Sequence, residues 1–223
     1  MENPHIVKIL KIEQLTHNVK MFVLERPKGY EFIPGQAIDL AIDKGGWRDK
    51  ERPFTFTGLN SNKHLELTIK IYPERNGVTK ELGNLKERDE LIISNPWGAI
   101  QYKDKGVFIA GGAGITPFIA ILRDLQLKNE LAGNMLLFSN KKEEDVILRE
   151  EFERMKTLKK VYTLTREDKA RFEHGRIDES FLKKHISNFK QSFYICGPLR
   201  MVGELTSVLT KLGAETESIV VET

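Results

Sequence analysis

The chain has 223 residues, of which 40% are hydrophobic and 30% charged, a length and composition that suit two compact domains with real cores. Its formal net charge is +3, with Lys and Arg interleaved among Asp and Glu. That pattern offers no basic block to follow a phosphate backbone, so nucleic-acid binding is not expected. No apolar run is long enough to span a bilayer. Met1-Glu2-Asn3-Pro4-His5 lacks the basic-then-apolar layout of a secretory signal, so a cytoplasmic location is expected.

Residues 1–102 read as short strands. His5–Glu13 and Val19–Glu25 alternate apolar and polar residues around a His17-Asn18 turn. Gln36–Ile42 follows the turn Ile33-Pro34-Gly35, and Phe54–Gly58, Leu65–Tyr72 and Glu90–Asn95 continue the series. A short helix, Thr79–Leu85, interrupts it after Asn76-Gly77. Six strands at hairpin-like spacing predict an antiparallel β-barrel.

Residues 103–223 change rhythm beyond the polar link Tyr102–Gly106. Strands at Val107–Ala110, Met135–Phe138, Val161–Leu164, Phe193–Ile195 and Ile219–Val221 alternate with four helices. These are the segment opened by Thr116-Pro117, then Asp145–Met155, Asp178–Ile186 and Leu199–Leu212. The alternation predicts a five-stranded parallel α/β domain.

Gly111-Gly112-Ala113-Gly114-Ile115-Thr116-Pro117 joins the first parallel strand to its helix. A glycine turn there brings phosphate oxygens to backbone amides and to the positive end of the helix dipole. It also serves as plain punctuation, with Thr116 as N-cap and Pro117 as first helical residue. Pro117 stands where the usual G-x-G-x-x-G carries its third glycine. Cys196, the single cysteine, ends a strand in Cys196-Gly197-Pro198. One cysteine excludes an internal disulfide and a thiolate-held iron–sulfur cluster within the chain. Such a residue is either a small hydrophobe or, at a strand's carboxyl end, part of a ligand site. The five histidines show no metal-ligand spacing, and no metal centre is expected.

The phrase Ala110–Pro117 resembles the pyridine-nucleotide motif of the ferredoxin–NADP reductase superfamily. Three further phrases occur in that family's order: Arg52-Pro53-Phe54-Thr55, Gly77-Val78-Thr79 and Cys196-Gly197-Pro198. The resemblance implies FAD, with FMN in some relatives, bound by the barrel, and NADPH or NADH bound by the α/β domain. It assigns Arg52 to the flavin pyrophosphate, Phe54 to packing on the isoalloxazine and Thr55 to its N5 edge. Pro53 and Gly77-Val78-Thr79 complete the flavin side. On the nucleotide side it assigns Gly112, Ala113, Gly114, Ile115 and Thr116, with Cys196, Gly197 and Pro198 near the nicotinamide. Thr55 and Cys196 are the implied catalytic positions, expected to meet across a domain interface. An ordinary strand with Phe54 and Phe56 in the core is the competing reading of the first phrase. Trp97, in the closing turn Asn95-Pro96-Trp97-Gly98, is read as a core or interface residue, core preferred.

Ser139, Asn140 and Lys141 after the second parallel strand, and Arg166 in Thr165-Arg166-Glu167 after the third, are the expected adenosine contacts. No Asp or Glu stands at the tip of the second strand to take a ribose 2′-hydroxyl. Lys141, Lys142 and Arg166 lean the choice toward NADPH, although cations at loop tips are commonly just solvated. The implied activity is hydride transfer from NAD(P)H to flavin, then electron transfer to a separate acceptor: a ferredoxin, flavodoxin or haem partner, or a small oxidant. An electron-transfer subunit of a larger complex and a non-enzymatic binding protein are the alternatives.

Overall fold

The computed structural model describes residues 4–98 and 100–222. Met1–Asn3 and Thr223, on which readings of the two termini touched, lie outside the described residues, as does Ala99. The chain divides into two compact units. One is the chain up to Gln101 together with Thr116–Asp124; the other is Tyr102–Ile115 together with the chain from Leu125 onward.

The first unit carries six antiparallel strands: β1 (His5–Thr16), β2 (Val19–Leu24), β3 (Ala37–Ile42), β4 (Arg52–Thr55), β5 (Leu65–Lys70) and β6 (Glu90–Ile93), in the spatial order β4-β3-β6-β1-β2-β5. One short helix, α1 (Val78–Asn84), follows β5. β1 is long enough to serve two neighbours. His5–Lys8 pair with β6 and Ile9–Thr16 with β2, with register shifts near Lys11 and Thr16 that bend the strand. Alternation sends Val7, Ile9, Phe22, Leu24, Ile38, Leu40, Leu67 and Ile93 into one core, where Phe32 stacks on Phe56 at 4.1 Å between ring centroids. The edge strands β4 and β5 touch at one isolated bridge, Phe56↔Leu67, with Thr57 N–H donating to the Glu66 carbonyl beside it. Arg123 holds this closed end by donating to the Thr57 carbonyl at 2.7 Å and to the Glu66 carboxylate at 2.5 Å.

The second unit is a parallel sheet of six strands where five were expected. These are β7 (Gly106–Gly111), β8 (Met135–Asn140), β9 (Lys159–Leu164), β10 (Glu173–His174), β11 (Ser192–Cys196) and β12 (Ile219–Glu222), in the order β10-β9-β8-β7-β11-β12. The extra strand, β10, has two residues, too few to show any period. Its position is fixed by Gly175 N–H to the Leu164 carbonyl and by the Thr163 hydroxyl to the Gly175 carbonyl. The unit also holds α3 (Arg149–Arg154), α4 (Glu179–His185) and α5 (Leu199–Lys211), while α2 (Thr116–Leu127) is divided between the two units after Asp124.

α3 is shorter than the expected Asp145–Met155. A 3-10 turn occupies Glu143–Asp145, and Leu148 takes a left-handed φ of 52°, which stops helical hydrogen bonding until Arg149. Phe181 and Leu182 of α4 and Val202, Leu205 and Leu209 of α5 bury one sheet face with Ile109, Leu137 and Ile195. On the other face Tyr194 stacks on Phe108 at 4.7 Å. Its hydroxyl accepts from Lys103 and Asp104 N–H and donates to the Asp104 carbonyl, so the buried phenol is fully satisfied. No helix among the described residues is long and apolar enough to cross a membrane.

Candidate functional site

In the first unit the edge strands β4 and β5 meet at the Phe56↔Leu67 bridge, and the motif residues lie on β4 and at the start of α1. Arg52 is exposed at the start of edge strand β4, its guanidinium meeting only the Glu51 carbonyl at 2.6 Å. It forms no ion pair among the described residues, so its charged fork is available to an anion. Pro53 sits on the edge, where a missing N–H is harmless. Phe54 packs partly against the barrel core and keeps part of its ring accessible, while Phe56 is fully buried. Thr55 is 6% exposed and paired with Ala37, which is bridged on its other side to Trp97. Trp97 itself is 41% exposed, not the core residue expected from the sequence: the turn bends it outward while its backbone closes on Ala37.

Gly77 is the N-cap of α1 in extended conformation, with no side-chain cap. Thr79 is half-buried, but the side chain of Val78 is in the barrel core, leaving only its backbone to a ligand. The sequence reading passed over Tyr72. Its half-buried ring lies at the end of the β5 segment, with the Arg75 guanidinium over it at 4.6 Å and Lys70 at 5.9 Å. The signal was present in the alternation Lys70-Ile71-Tyr72, which runs directly into the glycine turn.

In the second unit strand order reverses between β7 and β11, and both motif turns leave the sheet there, with Ala110 paired to Cys196. Such a switch point is where open parallel sheets form a ligand crevice. Gly112 has φ +55°, a left-handed conformation that favours glycine. Gly114 is required for a different reason: a Cβ there would stand 2.3 Å from the Cys196 carbonyl oxygen and 2.6 Å from Gly197 N. A Cβ on Gly111 would meet Met201 Sδ at 2.6 Å and Pro198 Cδ at 3.0 Å. The two turns therefore pack backbone against backbone. Gly112–Ile115 form a 3-10 turn and Thr116 is the first residue of α2. The Ile115 side chain is fully buried, whereas Ala113, Gly114, Thr116, Cys196 and Gly197 are half-buried and Pro198 is exposed.

Ser139 pairs with Gly111 and is half-buried. Asn140 is 5% exposed, and neither polar atom of its side chain has a partner. A buried carboxamide in that state is costly unless a ligand or water completes it. The loops after β8 and β9 are joined: Arg166 N–H donates to the Lys141 carbonyl at 2.9 Å, and Glu143 N–H to a Glu167 carboxylate oxygen at 2.8 Å. Lys169 and Arg149 both bond Glu143 and hold its carboxyl below the ordinary range. The Glu143 N–H, then Lys169, does the same for Glu167. Lys142 lies 3.4 Å from Glu144. Lys141 and Arg166 are exposed on adjoining loops without ion pairs among the described residues.

Two family models match the chain: an oxidoreductase FAD-binding domain over residues 6–102 and an oxidoreductase NAD-binding domain over residues 108–206. The chain is 30% identical to NADH-cytochrome b5 reductase 1 of Aspergillus terreus, over 89% of this chain and 74% of that protein. It is 28% identical to NADH-cytochrome b5 reductase 2 of Mycosarcoma maydis, over 94% of this chain and 69% of that protein. A ferredoxin NADP+ reductase from Neisseria gonorrhoeae, solved with FAD and NADP, superposes with a TM-score of 0.88. That superposition covers 100% of this chain and 99% of the other at 20% identity, a likeness of fold.

Proposed function

Because the chain belongs to the ferredoxin–NADP reductase superfamily and is an FAD-dependent NAD(P)H oxidoreductase, we propose how its own residues divide that work. A bound flavin would supply the redox chemistry, a hydride acceptor for the nicotinamide and an electron donor for a separate acceptor, and the protein's residues would hold and align it.

Arg52 binds the flavin pyrophosphate, and the N–H groups at Gly77, Val78 and Thr79 add neutral donors. Phe54 supports the isoalloxazine, and the Thr55 hydroxyl bonds its N5 edge. Tyr72, with Arg75 and Lys70 over its ring, adds a second aromatic ring on the flavin side. The fit rests on Arg52, exposed at the start of an edge strand with no ion pair among the described residues.

On the nucleotide side, Gly112–Thr116 present backbone to the pyrophosphate. Cys196, Gly197 and Pro198 align the nicotinamide, a positional role because hydride transfer needs no protein nucleophile. Asn140, with its unpartnered carboxamide, bonds the adenosine half. Lys141 and Arg166 favour a ribose 2′-phosphate, and thus NADPH, since neither has an ion pair among the described residues and their loops are joined by a backbone hydrogen bond. Among acceptors, a haem protein of the cytochrome b5 kind is supported by the names of the relatives.

The test is to purify the protein, release and identify its flavin, and follow NADPH- and NADH-driven ferricyanide reduction. FAD with turnover supports the reading. A protein without flavin, or one indifferent to both nucleotides, refutes it.

A further inference from the structure

We infer that Asn76-Gly77, the turn entering α1, is a self-modifying site. The Asn76 carboxamide cyclises onto the next backbone nitrogen and opens to aspartate or isoaspartate, which loosens the flavin. The modification stands on the turn itself; its effect on the flavin rests on the function proposed above.

The fold does not require a glycine at this turn. Gly77 has φ −144° and ψ 178°, extended values open to any residue, and a Cβ there would meet nothing within 4 Å. What the missing side chain does provide is an unobstructed amide nitrogen. Asn76 precedes it, exposed, in the one Asn-Gly pair of the chain. Lys80 Nζ donates to Asn76 Oδ1 at 3.1 Å, so a cation draws electron density from the carbon under attack. The same charge eases loss of the Gly77 proton. Gly77 N–H bonds the Arg75 carbonyl two residues back at 2.9 Å, a γ-turn whose bent hydrogen bond is weak. Asn60, before Ser61, makes the contrast. Its Oδ1 accepts from Arg26 at 2.5 Å and from Phe32 N–H at 3.1 Å, which locks the side chain.

The steps balance with water alone. The Gly77 nitrogen gives up its proton and bonds Asn76 Cγ, the Cγ–Nδ2 bond breaks, and Nδ2 leaves with that proton as ammonia. Water then adds to either carbonyl of the cyclic imide. Opening at Cγ restores the main chain with an aspartate side chain. Opening at the main-chain carbonyl leaves isoaspartate, whose backbone is one methylene longer. Both products put a carboxylate just ahead of α1, beside the Gly77, Val78 and Thr79 N–H groups assigned to the flavin pyrophosphate. A negative charge there suits the helix end and repels a phosphate. The chain therefore keeps its stability while it loses affinity for FAD.

The test incubates the purified protein, with FAD and without it, at mildly alkaline pH and maps its peptides by mass spectrometry at intervals. Labelling with an isoaspartyl methyltransferase separates the two products. Conversion at position 76 is expected to lead that at every other asparagine, Asn60 included. It should slow about tenfold or more in Gly77→Ala at unchanged Tm, because the added methyl crowds the nitrogen. Asn76→Asp should weaken FAD binding about threefold to tenfold by equilibrium dialysis, with Tm unchanged or raised, while Asn76→Gln keeps the wild-type affinity. A wild-type protein that holds no flavin would count against the proposed function and leave the peptide maps readable. An Asn76 that persists as long as Asn60 overturns the inference. So does equal conversion in Gly77→Ala, or an Asn76→Asp protein that holds FAD as tightly as wild type.

Discussion

Gly114 and Cys196 approach so closely that a Cβ on residue 114 would stand 2.3 Å from the Cys196 carbonyl oxygen. The obstacle is backbone, which does not rotate aside, so Gly114→Ala must push the two turns apart. Overpacking of this kind costs about 1–3 kcal/mol, or about 2–10 °C in Tm for a chain this size. Nucleotide affinity is expected to fall about tenfold while FAD is retained, measured by titration of the flavin-loaded protein. Cys196→Ser leaves the carbonyl in place, and is expected to keep affinity and slow flavin reduction.

Arg52 carries, at the start of an edge strand, a guanidinium with no ion pair among the described residues. Arg52→Ala removes a charge-assisted contact worth about 1.5–3 kcal/mol, so FAD binding should weaken about 10–100-fold by equilibrium dialysis. Arg52→Lys keeps the charge but loses the fork, and should fall between the two. An Arg52→Ala protein that holds FAD as tightly as wild type would remove Arg52 from the site.

Lys141 and Arg166 lie on loops joined through the Arg166 N–H and the Lys141 carbonyl. Replacing both with Ala is expected to lower kcat/KM for NADPH about tenfold or more and leave that for NADH nearly unchanged. Equal loss with both nucleotides would mean that the pair does not read the 2′-phosphate.

Glu179 bonds Lys183 and Lys211 at 2.7 Å each, tying α4 to α5, and these partners lower its carboxyl from 4.5 to about 2. A depressed carboxylate contributes stability above its unfolded value, and that contribution disappears as pH falls through the folded one. The Tm difference between wild type and Glu179→Gln should therefore be constant above pH 4.5 and shrink toward pH 2. A difference that grows on acidification would contradict this.

Much of this was legible in the sequence, because long alternations and glycine turns leave local signals. The six barrel strands, the parallel sheet and the two turns at its switch point follow from periods and from Gly112, Gly114 and Cys196. What escaped was non-local. Glu173-His174 became a strand only through its partners Thr163 and Leu164. The expected α3 lost its first turns to one left-handed residue, Leu148. Val78 and Ile115 sit within motifs expected to bind cofactor, yet their side chains are in cores, since a motif marks a backbone path and not every side chain along it. Trp97 looked like core by its size and proved 41% exposed, because a turn, not hydrophobicity, sets its direction.

The central claim is that this chain passes a hydride from NADPH to a flavin it holds. Anaerobic stopped-flow mixing of the purified, flavin-loaded protein with NADPH tests it most directly. The account predicts rapid bleaching of the flavin absorbance in a single turnover, faster with NADPH than with NADH. A flavin spectrum that stays unchanged with either nucleotide would contradict it.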